Sequence, residues 1–237
     1  MTKVNVLAAL LLLTFLVVPA TSQSAEGAAR EAIAKGNLLV AHGSYELALR
    51  EYERIGPNST DLYSVALYNI GVCYYELWRT ADAIDYYQRA IKQRNGLYPQ
   101  ASYALGVALE DEGRSSEAKS AYEQALVATR GNYARADYRL GLIAANSGDT
   151  ETAAALFRKA LHRPGEHLIA SHNNLGVMLA RMRRLKEAET EFAVALRLSN
   201  NEFRDAAHNL ALCQRLLSGA DEMDFASLRV TRIFIVD

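Results

Sequence analysis

Apolar and polar residues alternate along most of the chain with the spacing of amphipathic helices. Beyond the N-terminus the apolar positions recur every three to four residues, which predicts helices with one buried face rather than strands. One glycine recurs within this pattern at a spacing of 35 residues, as Gly36, Gly71, Gly106, Gly141 and Gly176. A fixed period of this length predicts structural repeats that stack on their neighbours. The sequence therefore predicts an all-α protein.

Two further sets of positions keep the same period. Small residues lie twelve positions after each glycine, as Ala48, Ala83, Ala118, Ala153 and Ala188. Aromatic residues follow four positions later, as Tyr52, Tyr87, Tyr122, Phe157 and Phe192. Two helices packed about 8–10 Å apart need small side chains where they touch. We therefore expect each glycine to face the alanine of its partner helix, and each aromatic ring to fill the gap toward the next unit.

Each unit divides at a turn between two helical patterns, so that it is predicted to be a helical hairpin. Five hairpins are predicted, at residues 29–63, 64–98, 99–133, 134–168 and 169–203. Residues 204–218 continue the first-helix pattern without a second helix, which predicts a helix that caps the stack. Residues 219–237 remain as a C-terminal tail.

These positions resemble the tetratricopeptide repeat (TPR), whose first helix carries a Leu-Gly pair. Leu105-Gly106, Leu140-Gly141 and Leu175-Gly176 match that pair, and Ile70-Gly71 is close to it. The resemblance implies a right-handed α-solenoid of five hairpins with a capping helix. It also implies that the first helices line a concave groove that binds extended peptides or partner helices. The 35-residue period and the missing terminal proline depart from the family pattern, which leaves the superhelical pitch open.

The inward positions of the first helices supply the candidate binding residues. They lie within three positions of each glycine, apart from Tyr75, which lies one turn further along its helix. The predicted groove residues are Tyr68, Asn69, Val72, Tyr75, Tyr103, Val107, Tyr138, Arg139, Leu142, Asn173, Asn174, Val177, His208 and Asn209. Asn can both donate to and accept from a peptide backbone, Tyr offers a rigid amphipathic surface, and Val and Leu favour apolar side chains. The alternative is that the Val and Leu positions only pack successive helices together.

The N-terminus has the pattern of an export signal. Lys3 precedes an apolar run from Val6 to Val18, and small residues follow at Ala20 and Ser22. A run of this length is short for a membrane span, which needs roughly 20 residues. We therefore expect residues 1–22 to be a cleaved signal peptide and the protein to be periplasmic or secreted. The alternative is an uncleaved inner-membrane anchor with the repeats facing the periplasm, so that the membrane is met only through this segment.

The tail ends in RVTRIFIVD, a run with β propensity. One interpretation is a terminal segment that packs on the capping helix or frays. The other is a segment that adds to the sheet of another chain or lies in the groove of a neighbouring molecule. The sequence alone does not choose between them.

Composition and motifs favour a protein-binding scaffold over an enzyme. A net charge of −1 with scattered Lys and Arg argues against nucleic-acid binding. No catalytic motif is present, and neither a metal nor another cofactor is expected. The layout HNNLGV…EA…AHNLAL…LLSG is similar to exported accessory proteins of pilus assembly. Protein or peptide partners in envelope, pilus or secretion assembly are therefore predicted.

Two alternatives belong to other classes of function. His162, His167 and His172 recur every five residues at the junction of the fourth and fifth hairpins, and could form the site of an enzyme or an accessory subunit. A metal site there would need more ligands than Glu166 supplies. The tail could instead make the chain a self-assembling structural protein.

Overall fold

The computed structural model describes residues 20–58, 60–219 and 227–232. These residues form eleven α-helices and no strands. In chain order the helices are α1 (Ala20–Ala41), α2 (Tyr45–Tyr52), α3 (Thr60–Glu76), α4 (Thr80–Gln93), α5 (Pro99–Asp111), α6 (Ser115–Ala128), α7 (Ala134–Asn146), α8 (Thr150–Ala160), α9 (His167–Arg181), α10 (Leu185–Leu198) and α11 (Arg204–Ser218).

The helices form five hairpins followed by one single helix. Each odd-numbered helix from α1 to α9 packs against the even-numbered helix that follows it, and each even-numbered helix packs against the next hairpin. Helix α11 covers α10 and contacts α9, as expected of a cap. The predicted all-α, right-handed solenoid of five hairpins with a capping helix is confirmed. Odd-numbered helices contact one another across successive hairpins, as α1 and α3, α7 and α9, and α9 and α11 do, which puts them on the concave side of the solenoid.

One turn geometry repeats inside every hairpin. A single residue adopts a left-handed φ between 59° and 82°, and it is Gly43, Trp78, Gly113, Gly148 or Arg183. The next residue donates its N–H to a carbonyl in the last turn of the first helix, as in Arg114 N to Leu109 O at 2.8 Å. This is the hydrogen bond of a Schellman motif, which both ends a helix and fixes the exit direction of the chain. Because the same turn recurs, the hairpins stack in register.

The constant 35-residue spacing of the glycines reflects a contact between each glycine and an aromatic ring. An ideal Cβ built on Gly176 would lie 2.6 Å from Phe192 Cε1, and one on Gly141 would lie 2.8 Å from Phe157 Cε1. Gly36, Gly71 and Gly106 meet Tyr52, Tyr87 and Tyr122 in the same way. Each glycine therefore lies nearest to the aromatic ring of its own hairpin, and not to the alanine as expected. The ring lies on the glycine of its own hairpin, because only a residue without a side chain leaves room for it.

The buried core runs along the whole stack as three neighbouring apolar clusters. The alanines predicted at the helix crossings are fully buried, together with the aromatic rings. The first cluster includes Tyr52, the second Tyr87 and Tyr122, and the third Phe157 and Phe192. Each hairpin thus buries its apolar face only when its neighbours are present.

The N-terminal prediction falls mainly outside the described part of the chain. Of the predicted signal peptide at residues 1–22, the structure describes only the last three residues, which begin helix α1. No helix in the described ranges is both long enough and apolar enough to span a membrane.

Candidate functional site

The concave side of the last three odd-numbered helices holds a short stretch of the chain's own tail. Residues 227–232, here called the tail segment, lie across α7, α9 and α11. Hydrogen bonds reach the backbone of every second residue, namely Ser227, Arg229 and Thr231. Such a two-residue period is that of an extended chain, in which successive residues face opposite sides. The tail segment therefore occupies the groove in the form of an extended peptide.

Two asparagines pair with the backbone of the tail segment through both ends of their amides. Asn174 Nδ2 donates to Thr231 O at 2.8 Å, and Asn174 Oδ1 accepts from Thr231 N at 2.7 Å. Asn209 repeats the arrangement with Arg229, with its Nδ2 2.9 Å from the oxygen and its Oδ1 2.9 Å from the nitrogen. Each side chain thus makes the pair of hydrogen bonds that a neighbouring β-strand would make. Both side chains are fully buried.

Three more side chains complete the contacts with the tail backbone. Asn173 Nδ2 donates to Arg229 O at 3.0 Å, and Tyr138 Oη donates to Thr231 O at 2.9 Å. His208 Nε2 lies 3.1 Å from Ser227 O. Asn209 Nδ2 also donates to Asn173 Oδ1 at 2.8 Å, which links neighbouring helices. The tail carbonyls are therefore held by a connected network of side chains rather than by isolated contacts.

The repeat explains why these side chains converge. Asn174 and Asn209 lie two positions before Gly176 and its counterpart in α11, and Asn173 and His208 lie three positions before. Residues at the same repeat position lie side by side on adjacent first helices. The structure thus brings together five predicted groove residues, namely Tyr138, Asn173, Asn174, His208 and Asn209.

Sequence reasoning missed two contacts at this site. Asp205 Oδ2 accepts from Thr231 Oγ1 at 2.8 Å, and Asn146 Oδ1 accepts from Arg232 Nη2 at 3.0 Å. Asp205 lies four residues before Asn209, so that both occupy the same face of α11. That spacing could have identified Asp205 from the sequence. Asn146 is the last residue of α7 and had no comparable signal.

Comparison with known proteins connects this architecture to a family. Two tetratricopeptide repeat family models match the chain, one at residues 64–96 and one at residues 103–167. The chain therefore contains tetratricopeptide repeats, and its fold is a TPR solenoid. No curated protein matches its sequence.

Solved TPR structures resemble the protein in fold. MamA from Desulfovibrio magneticus RS-1 is 24% identical with a TM-score of 0.59, over 74% of this chain and 97% of MamA. YrrB, a TPR protein with an unusual peptide-binding site, is 21% identical with a TM-score of 0.58, over 79% and 97% of the two chains. PilF from Pseudomonas aeruginosa is 16% identical with a TM-score of 0.62, over 84% and 95%. Identities this low establish the shared fold alone.

The middle of the TPR groove contains a buried charge. Arg139 Nη1 lies 3.3 Å from Glu110 Oε2, and the same oxygen accepts from Tyr122 Oη at 2.6 Å. Arg139 Nε donates weakly to Tyr103 Oη at 3.5 Å. Burial raises the pKa of Tyr122, which keeps its hydroxyl a donor at neutral pH. Arg139 Nη2 is buried and has no hydrogen-bond partner among the described residues.

The predicted apolar groove residues are largely withdrawn from the surface. Val107, Leu142 and Val177 are buried in the core clusters, and only Val72 remains half-buried. In the structure these residues pack the first helices together, which is the alternative that the sequence left open.

The predicted groove residues of helix α3 already contact side chains of the protein itself. Tyr68 packs against the rings of Tyr87 and Tyr98, and burial raises the pKa of Tyr68 to about 12. Asn69 donates to Asn37 at 3.1 Å, and Tyr75 donates to Asp111. The tail segment does not contact these residues in the described part of the chain.

The three histidines of the alternative site serve separate roles. His167 is buried with Nε2 3.0 Å from Ala160 O, and burial lowers its pKa. His172 Nδ1 lies 2.7 Å from Glu191 Oε2 on the neighbouring helix α10, whereas His162 is exposed in the turn after α8. Among the described residues, no three His, Cys, Asp or Glu side chains are arranged to hold a metal ion.

Proposed function

We propose that the protein is an exported scaffold that binds extended segments of partner proteins on its concave face. The observation that carries this proposal is the pairing of Asn174 and Asn209 with the backbone of the tail segment. TPR proteins generally act as non-enzymatic scaffolds for proteins or peptides. The groove of this chain thus holds an example of the kind of ligand it would bind.

The chemistry of the site suits an extended backbone. Asn174 and Asn209 satisfy both the N–H and the C=O of alternate residues, and a helix has few such groups free for pairing. Buried backbone groups need partners, so a segment that reproduced this pairing would lose no hydrogen bonds on leaving water. We therefore expect an extended segment of a partner protein to bind here rather than a partner helix.

A chain whose own tail cannot pair tests the proposal. Asn209 and Asn174 accept hydrogen bonds from the N–H groups of Arg229 and Thr231, and proline has no N–H. The full-length double variant Arg229→Pro/Thr231→Pro, here called the open chain, should therefore leave the groove free. A fluorescein-labelled peptide Ser-Leu-Arg-Val-Thr-Arg, which copies residues 227–232, is the probe. We expect it to bind the open chain and to bind the wild-type chain at least about tenfold more weakly, because the attached tail competes at high effective concentration. Fluorescence anisotropy measures both affinities.

Matched asparagine variants provide the control for this measurement. In the open chain, Asn174→Ala is expected to weaken peptide binding at least about tenfold, because the peptide N–H equivalent to that of Thr231 loses its acceptor and the carbonyl loses one of its two donors. Asn69→Ala changes the same repeat position in α3, away from the tail segment, and is expected to leave the affinity unchanged. Absence of binding to the open chain, or equal effects of the two variants, would contradict the proposal.

The export of this scaffold is part of the proposal. Lys3, the apolar run from Val6 to Val18 and the small residues after it support a signal peptide. We place the protein in the periplasm, where its partners would be components of envelope, pilus or secretion assembly. Expression of the full chain in a Gram-negative host, followed by fractionation and N-terminal sequencing, tests this placement. A periplasmic chain that starts near residue 22 is expected, and a chain that keeps Met1 in the cytoplasmic fraction would contradict it.

A further inference from the structure

Asp205 gives the groove a contact with the side chains of its occupant, in addition to the backbone contacts. Asp205 Oδ2 accepts from the Thr231 hydroxyl at 2.8 Å, and its other oxygen lies 3.8 Å from Arg229 Nη1. One carboxylate thus meets a hydroxyl and a cation two residues apart in the tail segment. The asparagines contact only the backbone of the bound segment, so these contacts do not depend on its sequence. The contacts of Asp205 involve side chains and therefore depend on which residues the segment carries.

The hydroxyl of Thr231 is used in both directions. It donates to Asp205 and accepts from Asn173 Nδ2 at 3.1 Å. Thr231 is only 8% exposed, so water has little access to replace either bond. A side chain of the same shape without a hydroxyl would remove the donor that Asp205 Oδ2 accepts from and one of the acceptors of Asn173 Nδ2. Sites that pair a hydroxyl in this way discriminate strongly against analogues that lack it.

An apolar residue anchors the other end of the same segment. Leu228 is 5% exposed and belongs to the buried cluster that includes Leu212 and Leu216 of α11. Val230 is half-buried against the same cluster. The groove therefore receives an apolar residue, then a basic one, and a hydroxyl residue three positions after the apolar one.

We infer that this end of the groove selects partner segments with the order apolar, basic, apolar, hydroxyl, and that the chain's own Leu228 to Thr231 holds the site until such a segment displaces it. This inference rests on the proposed function and adds its sequence preference. A partner is favoured over the tail of a second copy, because an identical tail in trans gains nothing over the attached one. A longer partner segment could add contacts toward Arg139, whose Nη2 is buried without a partner among the described residues.

Peptide variants on the open chain test the preference. We compare the Ser-Leu-Arg-Val-Thr-Arg peptide with peptides that carry Thr231→Ser or Thr231→Val. The affinity of the Ser peptide is expected to lie within about threefold of that of the Thr peptide, and the affinity of the Val peptide to be at least about tenfold lower. On an open chain that also carries Asp205→Ala, the Thr and Val peptides are expected to differ by less than about threefold, as in a double-mutant cycle. Fluorescence anisotropy gives all the affinities.

The outcomes separate this inference from the proposed function. If the Thr and Val peptides bind the open chain equally and Asn174→Ala weakens both, the sequence preference is wrong and the peptide groove stands. If no peptide binds, the proposed function fails and the preference fails with it. Wild-type dimers that exchange tails, detected by sedimentation equilibrium, would overturn the assignment of the site to a separate partner.

A measurement on the intact tail covers the case in which the open chain does not fold. In otherwise wild-type protein, amide hydrogen exchange at Arg229 reports whether the tail segment is docked, since its N–H donates to Asn209. Thr231→Val is expected to speed this exchange at least about tenfold, and Thr231→Ser to leave it within about threefold. Equal protection in both variants would overturn the inference.

Discussion

Replacing Gly176 with alanine is expected to lower the free energy of unfolding by about 2–3 kcal/mol, because overpacking a buried contact outweighs the gain in helix propensity. An ideal Cβ at Gly176 would lie 2.6 Å, 2.8 Å and 3.0 Å from three atoms of the Phe192 ring. That ring is fully buried between α9, α10 and the cap, so it has no free space to enter. The helices must separate, or the ring must leave its rotamer.

Two further variants distinguish this clash from a general effect of alanine. Gly27→Ala introduces the same methyl in helix α1, where it meets nothing within 4 Å, and is expected to change stability by between zero and a gain of about 1 kcal/mol. Phe192→Leu should cost less in the Gly176→Ala background than in wild type, since it removes the ring that clashes. Urea denaturation followed by circular dichroism at 222 nm measures the wild type, the three single variants and the Gly176→Ala/Phe192→Leu double variant. An additive double variant, or a Gly176→Ala chain as stable as wild type, would contradict the ring contact.

The repeat made the fold predictable to the level of individual turns. The period of the glycines, alanines and aromatic rings identified the hairpins, and the left-handed turn at Gly43 and its equivalents falls where the helical patterns break. The expected neighbour of each glycine was wrong, because spacing along a helix gives the direction of a side chain but not which neighbour it reaches. Residue volumes alone cannot tell whether the alanine or the aromatic ring of the partner helix lies beside the glycine.

The sequence predicted which polar residues line the groove, but it did not predict which segment the groove binds. The repeat places Asn174 beside Asn209, and amides at such a position favour a peptide backbone whatever its source. The occupant could not be identified, since a short β-prone run such as residues 229–237 pairs equally well with a sheet edge, a neighbouring molecule or its own groove. The apolar positions could not be assigned from the sequence, because apolar residues next to the glycine fit a helix interface and a groove floor equally well. The structure buries three of them, namely Val107, Leu142 and Val177.

Replacing Asn174 with alanine is expected to release the tail segment and to speed amide exchange at Thr231 about 100-fold, because leaving the buried Thr231 N–H without an acceptor costs about 1–3 kcal/mol. Thr231 N and Thr231 O would both lose their hydrogen bonds to the Asn174 side chain, which lie at 2.7 Å and 2.8 Å. Tyr138 and Asn173 would still reach the segment, but neither can accept a hydrogen bond from the Thr231 N–H in the present arrangement. The Thr231 N–H would find a new acceptor only by moving into water.

Exchange at a second amide shows whether the whole segment leaves. Arg229 N donates to Asn209 Oδ1, a bond that Asn174→Ala does not remove, so its exchange speeds up only if the tail undocks as a unit. We expect Arg229 and Thr231 to lose protection together, with faster tryptic cleavage after Arg229 and Arg232. Asn69→Ala provides the matched control at the same repeat position of α3, where the side chain pairs with Asn37, and should change neither amide. If Thr231 alone exchanged faster while Arg229 stayed protected, the two asparagines would hold the backbone independently and a partner could not displace the tail by competing at one end.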